Sequence, residues 1–266
     1  YFNYLAGNAG ISSVDYLAYW GYAASVGTIL VALAGPVLGT MADTKGFKKP
    51  IFTAAILTGV IGCALLGLAK GWLLFLVIYI IAKVGFSSSL IFYDSMLSDV
   101  TKPERMDEVS SHGYAWGYIG SCVPFLISLG IVLGNEALGI SMTVAMGISF
   151  FLNAAWWLVL TLPLLRNYNQ THYSPKREHA ILDTFVTLCR TFREIKSQKH
   201  IFLFLLAFFF FIDGVYTIID MATAFGSALG FDSTMLLLAL LLTQVVAFPF
   251  ALIFGKAAKK YRNDTL

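Results

Sequence analysis

Gly35-Pro36-Val37-Leu38-Gly39-Thr40-Met41-Ala42-Asp43-Thr44-Lys45-Gly46-Phe47-Lys48-Lys49 separates two long apolar runs. The run before it is rich in small residues, and the run after it begins at Pro50. Between them stand one acid, one turn glycine and three lysines. Two apolar runs long enough to cross a bilayer, joined by a tight basic loop, make a helical membrane hairpin. Basic loops stay on the cytoplasmic side, so the same stretch also orients the hairpin.

Composition agrees with that reading. Of 266 residues, 58% are hydrophobic and only 12% charged. A soluble domain of this size needs more charge to cover its surface. The basic residues sit between apolar runs, which excludes a nucleic-acid face. Cys63 and Cys122 lie in apolar runs and Cys189 in a polar one, so neither a disulfide framework nor a metal-ligand spacing is present. No phosphate-cradling glycine loop and no catalytic constellation stands out. The sequence calls for no cofactor, no metal and no enzymatic chemistry.

Apolar length sets out the spans. Tyr1 to Gly7 is too short to cross and reads as the last turns of a first span, ending near Ala9. Span two runs from Tyr16 to Ala42, span three from Pro50 to Leu68 and span four from Trp72 to Leu97. A charged loop from Ser98 to Ser111 follows. Span five runs from Gly113 to Leu133 and span six from Leu138 to Leu165. Residues 166–199 form a polar connector. Within it Ala180 to Lys196 places Ile181, Phe185, Leu188, Phe192 and Ile195 at helical spacing, the pattern of a helix lying on a membrane surface. Span seven runs from His200 to Ala228 and span eight from Ser233 to Gly255. The expected domains are a first bundle over 1–165, the connector over 166–199 and the start of a second bundle over 200–266. With alternating spans, only Lys70 falls in an outer loop and Lys83 inside a span. The other sixteen of the 18 basic residues fall on one side, which supports the spans and their direction.

The opening stretch carries a resemblance. Gly39, Asp43, Gly46, Lys48 and Lys49 resemble the loop 2–3 signature of the major facilitator superfamily, roughly G-x-x-x-D-x-x-G-[KR]-[KR]. It recurs weakly after span eight as Gly255-x-x-x-Lys259-Lys260, with a lysine in place of the acid. Three further segments, Phe92–Asp99, Ser110–Gly120 and Asp213–Ile218, look like the Atg22-like, or UMF1, branch of that superfamily, which is related to vacuolar amino-acid effluxers. The resemblance implies an all-α polytopic membrane protein of two six-helix bundles related as parallel repeats. This chain would supply the first bundle and two helices of the second, packing against later helices of the same chain. It implies a multi-pass protein of the plasma membrane that moves a small solute by alternating access, with amino-acid efflux and proton coupling as the specific expectations. In the family the acid matching Asp43 gates the cytoplasmic face. A reading of another class is a non-transporting receptor or scaffold on the same fold.

Charges inside a span mark the site, because each costs about 2.5–3.5 kcal/mol or more at a helix centre. Lys83 and Asp94 lie in span four, eleven residues apart, within about 20° of one face. Asp213 and Asp220 lie in span seven, seven apart and equally aligned, with Tyr216 and Thr217 on the same face. Tyr93 adjoins Asp94. By the resemblance, spans four and seven both line the central path. Lys83 and Asp213 fall near mid-depth, Asp94 near the cytoplasmic end and Asp220 toward the outside. A Lys83–Asp213 pairing would serve as a clamp for a zwitterion, a bridge broken by substrate or proton, or a fixed packing bridge. At the cytoplasmic face, Lys48 or Lys49 is expected to pair with Asp99, an exposed contact worth about 0–1 kcal/mol.

Overall fold

The computed structural model describes residues 1–174 and 180–260. In chain order the helices are α1 Phe2–Asn8, α2 Ser13–Ala42, α3 Lys48–Leu66, α4 Trp72–Ser95, α5 Leu97–Val100, α6 Met106–Leu133, α7 Met142–Asn167, α8 Ala180–Ser197, α9 Lys199–Ala228 and α10 Ser233–Lys260. Seven of them are long and apolar enough to cross a membrane: α2, α3, α4 with α5, α6, α7, α9 and α10. The protein is all-α and multi-pass. Local chemistry sets the starts. Ser12 caps α2 by accepting the Asp15 N–H at 3.2 Å, and Asp15 puts a negative charge in the first turn, where the helix dipole favours it. Ser141 caps α7 in the same way through the Val144 N–H.

Most boundaries fall within a few residues of the sequence expectation. The largest difference is α6, which begins at Met106 rather than near Gly113. The expected loop of 98–111 is therefore mostly helical: α5, a 3₁₀ turn over Pro103–Arg105, then the first turns of α6. Asp107 and Glu108 sit in that first turn, where acids suit the helix N-terminus, so charge there starts a helix rather than a loop. Apolar length cannot see this, because it counts only the part of a helix that meets lipid.

α3 packs on α4 and α7, α2 on α4, and α6 on α7. Across the connector, α10 packs on α6, and α9 lies against α2. Two buried clusters hold the first group. One, at the basic-loop side, joins Ala42, Phe52, Ile56, Val60, Phe92, Met96, Ala154 and Tyr168; the other, at the opposite side, joins Phe2, Ala6, Ala23, Leu66, Ala69, Phe75 and Leu76. Asn153 of α7 donates to the Ser128 hydroxyl of α6 at 3.1 Å, the interhelical bond expected of an amide in lipid.

Lipid is as apolar as leucine, so burial alone does not draw membrane helices together, and close contact needs small residues. The α3–α4 crossing is made by Gly59 and Gly85. A methyl at Gly85 would lie 2.4 Å from the Gly59 nitrogen and 2.9 Å from the Ala55 carbonyl oxygen, both backbone. Backbone cannot swing aside, so the helices must part. Gly85→Ala is expected to cost about 3 kcal/mol, the upper end for overpacking, read as a lower thermal unfolding temperature. Gly117→Ala, with nothing within 4 Å of the new methyl, is the matched control and should leave that temperature unchanged.

Candidate functional site

Lys83 of α4 meets Asp220 of α9 through its ammonium and the carboxylate Oδ2. The pair is largely enclosed, with side-chain exposures of 11% and 29%. Each neighbour has a physical reason. Gly27 of α2 leaves room for the lysine stem, whose Cδ would lie 3.2 Å from a methyl there. Trp20 of α2 donates its indole N–H to the Asp220 carbonyl at 3.0 Å. The Trp20 ring packs 4.4 Å from that of Tyr79, one turn before Lys83. Further along, Asn3 donates to the Ser227 hydroxyl at 3.3 Å. Among the described residues, one charge pair and two hydrogen bonds thus join helices from before and after the connector.

The acid that meets Lys83 is Asp220, not Asp213 as depth counting suggested. From the outer ends, Lys83 is 11 residues below Trp72, Asp220 8 below Ala228 and Asp213 15 below it. At 1.5 Å per residue Lys83 falls at about 16 Å, between acids at about 12 and 22 Å. Side-chain direction breaks the tie. A helical side chain leans toward its helix N-terminus. α4 starts at the outer side, so Lys83 leans outward; α9 starts at the inner side, so Asp220 leans inward to meet it and Asp213 leans away. Asp213, Tyr216 and Thr217 are exposed on α9.

A second polar group lies nearer the basic-loop side. Tyr93 of α4 reaches α6, its hydroxyl 3.7 Å from where a methyl on Gly113 would stand. Tyr114 and Tyr118 sit one turn apart with ring centroids at 6.5 Å. Tyr93, beside Asp94 on α4, thus meets the segment of α6 that carries Tyr114 and Tyr118, two tyrosines that the sequence reading missed, while Tyr216 stands exposed on α9.

At the basic-loop side, Lys48 and not Lys49 reaches Asp99, with Nζ to Oδ2 at 3.4 Å. The pair is buried, with side-chain exposures of 4% and 0%, which corrects the expectation of an exposed contact. The reason is the stretch that follows α7. The Tyr168 hydroxyl donates to Asp99 Oδ2. Thr171 donates its N–H at 3.2 Å and its hydroxyl at 2.8 Å to Oδ1, and the His172 N–H donates to the same oxygen at 2.8 Å. The His172 ring nitrogen Nδ1 lies 3.0 Å away. Burial pushes the Tyr168 phenol above its ordinary range, and its bond to Asp99 and the charges of Asp99 and Asp43 push the same way. The signature loop is held by the same stretch. Gly46 has φ of 81°, a left-handed turn that suits glycine, and its N–H donates to Gln170 Oε1 at 2.9 Å. Asp43 offers its carbonyl to the Ser174 N–H at 2.8 Å and keeps its side chain exposed. Gly39 has open space around it.

Comparison with known proteins follows the same line. A family model described as "Vacuole effluxer Atg22 like" matches residues 6–266. The chain is 42% identical over 265 residues to an uncharacterized MFS-type transporter, YxiO, of Bacillus subtilis (strain 168), covering 98% of this chain and 62% of that one. It is 25% identical over 269 residues to autophagy-related protein 22 of Coccidioides immitis (strain RS), covering 77% of this chain and 44% of the relative. The chain thus spans about three fifths of the length of the first relative and less than half of the second. No solved structure gives a significant match. The α2–α3 hairpin, the signature loop and the intramembrane charges are features of a chain that belongs to the Atg22-like family of the major facilitator superfamily.

Proposed function

We propose that this chain is part of a secondary active transporter that moves a small zwitterionic solute, an amino acid, by alternating access. The carrying observation is the Lys83–Asp220 pair, a charge pair inside the membrane that bridges helices from before and after the connector. Such a pair is costly in lipid unless it serves a path. A zwitterion offers a carboxylate for Lys83 and an ammonium for Asp220, so substrate can replace the bridge it breaks. The family description and the superfamily of the bacterial relative support the transport class. The direction is outward, as the word effluxer suggests, and the membrane is the plasma membrane.

Asp213, two turns from Asp220 on the same face of α9, is the candidate proton carrier; among the described residues no cationic side chain forms an ion pair with it. Asp94 with Tyr93 and Tyr216 lines the inner part of the path, Thr217 adjoins it, and Asp43 with its loop gates the inner face.

The test is counterflow in proteoliposomes, using the full-length protein and a panel of radiolabelled L-amino acids. At least one should exchange. Exchange of none, under any imposed gradient, would overturn the transport reading and leave the scaffold. Asp213→Asn should keep exchange yet lose net uptake driven by a pH gradient. Unchanged pH-driven uptake would remove Asp213 from the proton path.

A further inference from the structure

Seven residues between α7 and the rest of the connector do more than link helices. Six of them touch the signature loop or Asp99. Tyr168 is buried in the core cluster and bonds Asp99. Gln170 spans the loop, accepting the Gly46 N–H at 2.9 Å and donating to the Ala42 carbonyl at 3.0 Å. Thr171 and His172 turn three donors onto Asp99 Oδ1. Tyr173 places its ring 5.1 Å from the Lys45 ammonium. Ser174 pairs with the loop as a short parallel bridge to Thr44, donating to the Asp43 carbonyl at 2.8 Å and accepting the Lys45 N–H at 3.2 Å. Only Asn169 stands exposed without such a contact.

The geometry points to Tyr168–Ser174 as a positioning strap that holds the Asp43 gate loop and α5, through Asp99, in one arrangement. The loop from Asp43 to Phe47 closes one turn of its own, the Phe47 N–H on the Thr44 carbonyl at 3.1 Å, and neither Gly39 nor Gly46 brings a neighbour within 4 Å of where a methyl would stand. Its ties to the rest of the fold come from Gln170, on Ala42 and Gly46, and from Ser174, on Asp43 and Lys45. The strap continues into the connector, so the gate carboxylate is placed by the same segment that leads to α8 and α9. Gln170, Thr171, His172 and Ser174 are positioning residues: they act through Asp43, Lys48 and Asp99.

This rests on the transport reading, and the experiment separates the two. The full-length protein, with its native cysteines replaced, carries a nitroxide at Lys45→Cys for one arm. Gln170→Ala combined with His172→Ala should loosen the nitroxide spectrum and lower the maximal counterflow rate, leaving the half-saturating solute concentration unchanged. The expected loss is about fivefold or more, the lower bound for coupling between separate sites. In a second arm without the label, a Thr44→Cys/Ser174→Cys crosslink, at bridge-paired positions, is added to the same double variant. Oxidation should restore the rate and reductant should reverse the gain. A merely structural role gives no such reversible rescue. A loosened nitroxide with wild-type transport, or a rate loss that the crosslink does not restore, overturns the proposal. If the parent protein moves no solute, the transport reading fails by itself. The nitroxide arm then decides the strap alone, and an unchanged spectrum in the double variant overturns it.

Discussion

Lys83→Ala should lower solute counterflow by about 100-fold, toward the upper end of coupling between sites, and Asp220→Asn should do the same. Stability falls as well, since Asp220 is left in a span without its cation. Loss of one partner from a buried pair costs about 3–5 kcal/mol, and the 29% exposure of Asp220 argues for the lower figure. The stability loss alone does not identify a site, because a packing bridge gives it too. The double variant Lys83→Met/Asp220→Leu separates the cases. It removes both charges and fills the space, and such replacements are often neutral or stabilising. Its unfolding temperature should return to near the parent value while transport stays lost. Transport regained in the double variant would make the pair a packing bridge and sink its place in the path.

That pair also shows where sequence reading stops. Which helix faces are polar was legible, because a lysine and three acids in apolar spans are conspicuous. Which acid meets the lysine was not legible from residue counts, since Lys83 lies between Asp213 and Asp220 in depth. The missing signal was in the sequence after all. Antiparallel spans lean their side chains in opposite senses, and the orientation from basic loops already gave the sense of each. Gly27 and Trp20 were less accessible. Nothing in α2 by itself says that one glycine makes room for a lysine two helices away, or that one indole caps a carbonyl of α9. The strap was hidden for another reason. Tyr168-Asn169-Gln170-Thr171-His172 has the composition of any solvated linker, and its meaning lies in contacts with Asp99 and Gly46, from about 70 to more than 120 positions away. The one local hint was Tyr168, an aromatic just past the end of a span. The hairpin, by contrast, was legible because its parts are contiguous: two apolar runs, a glycine turn and lysines.

Asp99→Ala should be among the most destabilising substitutions at the basic-loop side. An exposed Lys48–Asp99 pair would cost about 0–1 kcal/mol to remove. The observed carboxylate is fully enclosed and takes Lys48, Tyr168, Thr171 and His172 together, while Lys48 is itself only 3% exposed. Truncation leaves that ammonium buried without its carboxylate and the Tyr168 hydroxyl without an acceptor. A loss of about 4 kcal/mol is expected, within the range for breaking a buried pair. Asp99→Asn keeps the shape, but its amide turns a donor toward other donors, so it should fall between the parent and the alanine variant. Adding Lys48→Met to Asp99→Ala removes the stranded charge and should recover part of the loss. Thermal unfolding in detergent gives the order. Limited proteolysis between Asn167 and Ser174 gives the location, with cleavage fastest in Asp99→Ala. A loss under about 1 kcal/mol with no added cleavage would fit an exposed pair. It would mean that the donors on Asp99 add no stability to the strap, because each bonds water equally well once the carboxylate is gone.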